Sequence, residues 1–250
     1  MRTPSRKGGF PLELGVKRRL SRRNDPQAKK ADEEFERIKK QILARDHNTC
    51  QSCGFSSPAH KQAPAGFLEV HHIDDDHHHN ESKNLITLCP FCHMGFTLGK
   101  RGDQFAAKLI WYPEVSQRDL NALFHPVLAL NWIRENEENL DVDMDDQAMV
   151  YMGRATDVYR LITTAGTTRL KNLGTVLPEI ERIETLYDML VGLSDHEYKQ
   201  RGVILKGIRL VPRADTFEKQ LSYWAQNVWL KNLHPSGWDG LIKQMYSLVA

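Results

Sequence analysis

Two cysteine doublets, Cys50-x2-Cys53 and Cys89-x2-Cys92, separated by 35 residues, constrain this chain more than any other feature. They hold all four cysteines of the 250-residue sequence. A doublet of this spacing forms a knuckle whose turn lets both thiolates reach one ion, and two knuckles complete a tetrahedral zinc site. Such a site is closed to water and substrate, so its role is structural. The competing reading is four unconnected buried thiols. Histidine crowds into the same stretch, with eight of the eleven between His47 and His93.

Composition bears on the rest. With 40% hydrophobic and 26% charged residues and a net charge of +2, the chain has the profile of an ordinary soluble protein of one or two domains. Four cysteines are too few for a disulfide scaffold at this length. The start, MRTPSRKGGF, lacks an apolar signal core, and no stretch approaches a membrane span. The expectation is a reducing cytoplasm, with no direct membrane insertion and any peripheral position at the inner membrane reached through a partner. The charge is uneven: residues 1–30 carry ten Lys or Arg against two acidic residues, which makes this arm +8 and the remainder −6. A basic arm either stays solvated or binds nucleic acid, with Arg18, Arg19, Arg22 and Arg23 as the candidate phosphate contacts. Phe10, Leu12, Leu14, Val16 and Leu20 give residues 10–20 enough apolar character to lie on a folded surface.

Phe35, Ile38, Ile42 and Leu43 recur at helical steps and predict a helix over 28–45. A strand is expected at 67–73 and another at 106–112. The 47–93 window is poor in apolar residues and would need metal to hold it together. Leu120, Leu123, Phe124, Val127, Leu128 and Ile133 define a helical face interrupted by Pro126, which should kink it or start a new helix. Further helices are expected near 145–163, 177–193, 215–231 and 237–249, with a strand at 203–211. The acidic run Glu135 to Asp146 reads as a solvated loop. Of the late aromatics Trp224, Trp229 and Trp238, Trp224 shares an apolar stripe with Phe217 and Leu221 and belongs in a core. These elements give an α+β chain: a basic arm (1–27), a small zinc module with its leading helix (28–102) and a mainly helical domain (103–250).

Between and after the knuckles stand His71, His72, Asn84 and His93. With CQSCGF (50–55), EVHHID (69–74), NLITLC (84–89) and CPFCH (89–93), residues 45–95 resemble the HNH nucleases, whose ββα-metal fold often carries a zinc knuckle pair. The resemblance implies His71 and His93 as ligands of a catalytic Mg2+ or Mn2+, His72 as the general base that activates water, and Asn84 as the residue that holds the His72 loop. Adjacent strand residues face opposite ways, so serving both metal and substrate requires a distorted strand end. The alternative for His71 and His93 is support of the structural zinc from outside its ligand set. His77, His78 and His79, preceded by three aspartates, read as a solvated loop tip, with Asp74 alone near enough to assist the His pair.

A wider resemblance rests on PLELGVKRRL (11–20), the helix leading into RDHNTCQSCGF, and KLIWYPEVSQRDLNAL (108–123). These segments are similar to the IcmJ/DotN family of type IVB secretion and conjugation systems. That family implies an adaptor beside the type IV coupling ATPase, on the cytoplasmic side of the inner membrane. Secretion-system members lack part of the HNH set, in particular the final His; this chain carries all four residues. Three functions therefore compete: a divalent-metal-dependent DNA endonuclease or nickase of a type IV transfer system, a catalytically silent adaptor of the coupling complex with purely structural zinc, and a nucleic-acid-binding zinc module without chemistry.

Overall fold

A computed structural model describes residues 9–18, 27–61, 63–98, 106–140, 144–174 and 182–232, with positions 240, 243, 246 and 247. The fold is α+β, and the chain divides into two compact units: residues 1–103 with 187–202, and residues 104–186 with 203–250.

In the first unit, helix α1 (Ala28–Arg45) buries Ala31, Phe35, Ile42 and Leu43 along one stripe. It is followed by strands β1 (Glu69–His72) and β2 (Leu85–Leu88), which pair antiparallel in continuous register from Glu69 opposite Leu88 to His72 opposite Leu85. Helix α2 (Pro90–Phe96) starts directly after β2, with Pro90 at the first turn where its missing N–H costs nothing. The stripe of α1 packs on this hairpin. At the C-terminus of α1, the Asp46 carboxylate accepts the Thr87 N–H at 2.9 Å, and Arg45 donates to the carbonyls of Ser82 and Leu85 at 2.6 and 2.7 Å. One acidic–basic dipeptide thus fixes the helix end to both ends of β2.

The 47–93 window, expected to need metal to hold it together, does bury an apolar cluster. Phe55, Leu68, Val70, Leu85, Ile86, Leu88 and Phe91 are all buried, four of them on the hairpin and one on α2. Residues 195–199 and 201–204 form short helices α6 (Asp195–Lys199) and α7 (Arg201–Ile204), preceded by α5 (Ile183–Gly192). Ser194 starts α6 with a reciprocal cap, its hydroxyl accepting the Glu197 N–H while the Glu197 carboxylate accepts the Ser194 N–H.

In the second unit, strand β3 (Ala107–Trp111) pairs antiparallel with β4 (Ile208–Pro212). The main helices are α3 (Gln117–Glu135) and α4 (Asp146–Gly174). Pro126 does not divide α3 but sits buried inside a continuous helix. The side chain of Gln117 accepts the Leu210 N–H at 2.6 Å and donates to the Leu210 carbonyl at 2.9 Å, so an amide serves β4 as a strand neighbour would. The expected 203–211 strand is shorter than its apolar run. Gly207, at φ +90°, turns the chain against Trp111, and Val203 and Ile204 belong to α7. The 215–231 segment is a 3-10 turn, α8 (Glu218–Trp224), a π turn at Ala225–Trp229 and α9 (Leu230–Asn232). Trp224 is fully buried with its ring edge-on to His125 at 5.0 Å. Trp229 is also buried, while Trp238 and most of the expected 237–249 helix lie outside the described residues. In the acidic run, Asp145 accepts the Ala148 N–H at 2.7 Å and so caps α4; residues 141–143 lie outside the described residues.

Candidate metal centre

The two knuckles converge. Leaving α1, the chain passes through His47 and Asn48 in the left-handed region (φ 54° and 47°). Cys50 then donates its N–H to the Phe55 carbonyl at 2.8 Å, and Gly54, at φ 80°, returns its N–H to the Cys50 carbonyl at 2.9 Å. This closes a turn that sets Cys50 and Cys53 side by side. The second doublet straddles the start of α2, where the N–H groups of Cys92 and His93 both donate to the Cys89 carbonyl. Gln51 donates its N–H to the Thr87 carbonyl at 2.8 Å, which fastens the first knuckle to β2 beside the second.

All four sulfur atoms lie within 4.8 Å of one another, with Cys53 and Cys89 Sγ 3.6 Å apart. Sulfurs bound at about 2.3 Å to a tetrahedral ion would sit about 3.8 Å apart, so the cluster fits a zinc-sized ion. Every one of these cysteines is buried, none more than 4% exposed. Burial raises the Cys53 and Cys89 thiols well above their usual range. Ion uptake must therefore displace protons. Among the described residues, these cysteines are the one group of three or more ligand side chains close enough to hold a metal ion.

The histidines divide between two faces of β1. His71 meets α2: its ring lies edge-on to His93 at 5.2 Å and stacks on Phe96 at 4.8 Å. His93 Nδ1 is paired to the Glu69 carboxylate on the same side of the strand. Burial, then the charges of His93, His72 and Lys17, lower the His71 imidazole to about 3 against the opposing pull of Glu69, so it is neutral at physiological pH. His72 faces α1: it stacks on Phe35 at 4.9 Å, and its Nε2 meets Asn80 Oδ1 at 2.9 Å. Asn80 in turn donates to the Ala31 carbonyl of α1 at 3.1 Å, which leaves its oxygen to accept from His72.

Asn84 is also buried. Its amide donates to the Asp74 carboxylate and to the His79 carbonyl, each at 2.9 Å, while its oxygen accepts the Asp74 N–H at 3.2 Å. It staples the 74–79 loop, whereas the ring of His72 is held by Asn80. The His-rich tip is more structured than a solvated run: His77 is buried, the His78 ring lies tilted against it at 4.3 Å, and His79 Nδ1 pairs with Asp74 at 2.6 Å. Of the basic arm, Arg18 donates to the Leu193 carbonyl at 2.8 Å and pairs with Asp195 at 3.0 Å; Arg19, Arg22 and Arg23 lie outside the described residues. Sequence reasoning missed Asn80, Glu69 and Phe96 as neighbours of the histidines. Glu69 stood in the EVHHID motif and signalled nothing by itself; Asn80 is one polar residue in a polar run.

A two-stranded hairpin followed by a helix, with paired-cysteine turns at its entrance and at the β2–α2 junction, makes a ββα module around a four-cysteine cluster that could hold a metal ion. No family model matches the chain. The chain is a homologue of the type 4 apparatus protein DotN of Legionella pneumophila, with 27% identity over 203 residues that cover 79% of this chain and 82% of that protein. It is also similar to the H-N-H endonuclease F-TflIV of Escherichia phage T5, 48% identical over 44 residues, 18% of each chain.

Proposed function

We propose that this chain is an adaptor-type subunit of a type IV apparatus, in which four cysteines hold zinc to build the fold and the HNH-like face does no cleavage. One observation carries this reading: His71 and His72 lie in an unbroken β1–β2 register, with His71 toward α2 and His72 toward α1. A hydrolase of this design needs the base and the metal ligands directed at one phosphate. Here the candidate base is 6% exposed and walled by Phe35 and Asn80, away from the His71–His93 pair. The likeness to DotN runs along most of both chains and supports a place in such an apparatus, with the type IV coupling ATPase as partner on the cytoplasmic side of the inner membrane. No described helix is long and apolar enough to cross a membrane. Affinity purification of the tagged chain from its own host, after in vivo crosslinking, should retain the coupling ATPase. A chain that retains no apparatus subunit under these conditions contradicts the proposal.

The second reading is a DNA endonuclease or nickase. The 44-residue likeness to an H-N-H endonuclease and the adjacency of His71 and His93 favour it. In it His71 and His93 carry Mg2+ or Mn2+, His72 activates water, Asn84 holds the loop, and Arg18, Arg19, Arg22 and Arg23 grip DNA. Nicking of supercoiled plasmid that requires Mg2+ or Mn2+ and disappears in His72→Ala would install this reading in place of the first.

A further inference from the structure

We propose that residues 10–18 form a strap that closes the His71–His93 face, with Tyr198 as its latch. The strap is held by backbone hydrogen bonds to α2, to the chain just after it and to the first knuckle. Gly15 donates its N–H to the Gly95 carbonyl at 2.8 Å, Leu98 donates to the Gly15 carbonyl at 3.0 Å, and Phe10 donates to the Gln51 carbonyl at 2.9 Å. Close approach is built in by two glycines. A Cβ on Gly95 would lie 2.8 Å from the Leu12 side chain, and one on Gly15 would lie 2.7 Å from the Tyr198 hydroxyl. Within the strap, Leu14 and Val16 are themselves buried, 5% and 3% exposed.

The latch comes from far along the chain. The Tyr198 hydroxyl accepts the Val16 N–H at 2.8 Å and donates to the Val16 carbonyl at 2.9 Å, so one phenol satisfies both backbone groups of one strap residue. Arg18 and Arg201 lie over its ring, with guanidinium carbons 4.7 and 4.6 Å from the centroid. Arg201 also donates to the Leu14 carbonyl at 3.1 Å. Beyond the latch, Lys17 pairs with Asp75 at 3.5 Å, and its charge acts on His71. Phe10 meets Phe96 at 5.9 Å, and Phe96 in turn covers His71. The strap therefore flanks His71 from both of its ends, and access to its nitrogens and to those of the adjacent His93 depends on α6 and α7 keeping their hold on Val16 and Leu14. The inference concerns access to this face and holds whether the face cleaves nucleic acid or only supports the module.

The test compares wild type with Tyr198→Phe/Arg201→Gln, and separately with Gly15→Ala, which attacks the latch from the strap side. Diethyl pyrocarbonate labelling, mapped by mass spectrometry, reads the accessibility of His71 and His93; amide hydrogen exchange reads the strap at Val16 and the fold at Leu88. Losing the paired hydrogen bonds should release the Val16 amide and raise labelling of His71 and His93 by about tenfold, with exposed His60 as an unchanged reference. Leu88 should keep its protection. A wild-type Val16 amide without protection overturns the proposal. So does a released strap with His71 and His93 labelled no faster. If the double variant also loses protection at Leu88, the same two readouts on Gly15→Ala decide.

Discussion

Replacing Asn84 with alanine separates a loop staple from a residue reserved for chemistry. Asn84 is 6% exposed and makes three side-chain hydrogen bonds, of 2.9, 2.9 and 3.2 Å, all to the loop that begins at Asp74. A neutral bond of this kind is worth about 1 kcal/mol and one to a carboxylate about 2 kcal/mol, for a gross loss near 4 kcal/mol. Asp74 and His79 are partly open to water, which recovers part of that, so the expected cost is about 2–3 kcal/mol. Asn84→Asp should cost more, because it trades the donor facing Asp74 for a second carboxylate. Urea unfolding gives the stability change, and hydrogen exchange should find lost protection concentrated at Asp76, His79 and Asn80. A cost below about 0.5 kcal/mol for Asn84→Ala, with the loop still protected, would refute the staple.

Other consequences concern pH and metal. Burial pushes the Asp74 carboxyl up, but hydrogen bonds from His79, the Asp76 N–H and Asn84 outweigh it and hold it at about 2, below its ordinary 3.8. Its folded value is depressed, so its contribution is complete above pH 4 and is lost as pH falls toward 2; Asp74→Asn should remove under about 1 kcal/mol at neutral pH and flatten that acid limb, read from urea midpoints against pH. The His79 imidazole is shifted the opposite way by its bond to Asp74. Its pairing is present below the ordinary histidine value and lost as pH rises through the raised one, so an NMR titration should show the His79 midpoint fall in Asp74→Asn. At the cysteine cluster, the raised thiols mean that protons compete with the ion. Titration from pH 8 to 5 should release zinc, and Cys89→Ser should lower zinc affinity and the thermal midpoint together. Retention of full helical circular dichroism after verified metal loss would show that the buried hairpin core suffices without it.

Some of this was legible in the sequence, for physical reasons. Phe35, Ile42 and Leu43 mark α1 because a helix packed on one side must repeat its apolar residues, and the structure has that helix at Ala28–Arg45. The cysteine doublets announce their convergence because a two-residue spacer leaves a knuckle few geometries. The 203–211 strand was overdrawn because apolar content cannot reveal that Gly207 ends a turn against Trp111. Which side of β1 each histidine faces follows from strand alternation, but the partners on each side come from α1 and α2, and their packing is tertiary. The Tyr198 hydroxyl joins residues distant in sequence through the two backbone groups of Val16, which leave no side-chain pattern to read.

In the proposed function the four cysteines build the module, which works in an assembly without cleaving phosphodiesters. Complementation of type IV transfer in a host lacking the chromosomal copy tests it most directly, using His72→Phe and the cysteine variant Cys50→Ser/Cys53→Ser expressed at matched levels. Transfer should stay near wild type with His72→Phe, whose ring preserves the stack on Phe35, and be lost with the cysteine variant. Transfer abolished by His72→Phe, in a protein that keeps its zinc and its fold, would contradict it.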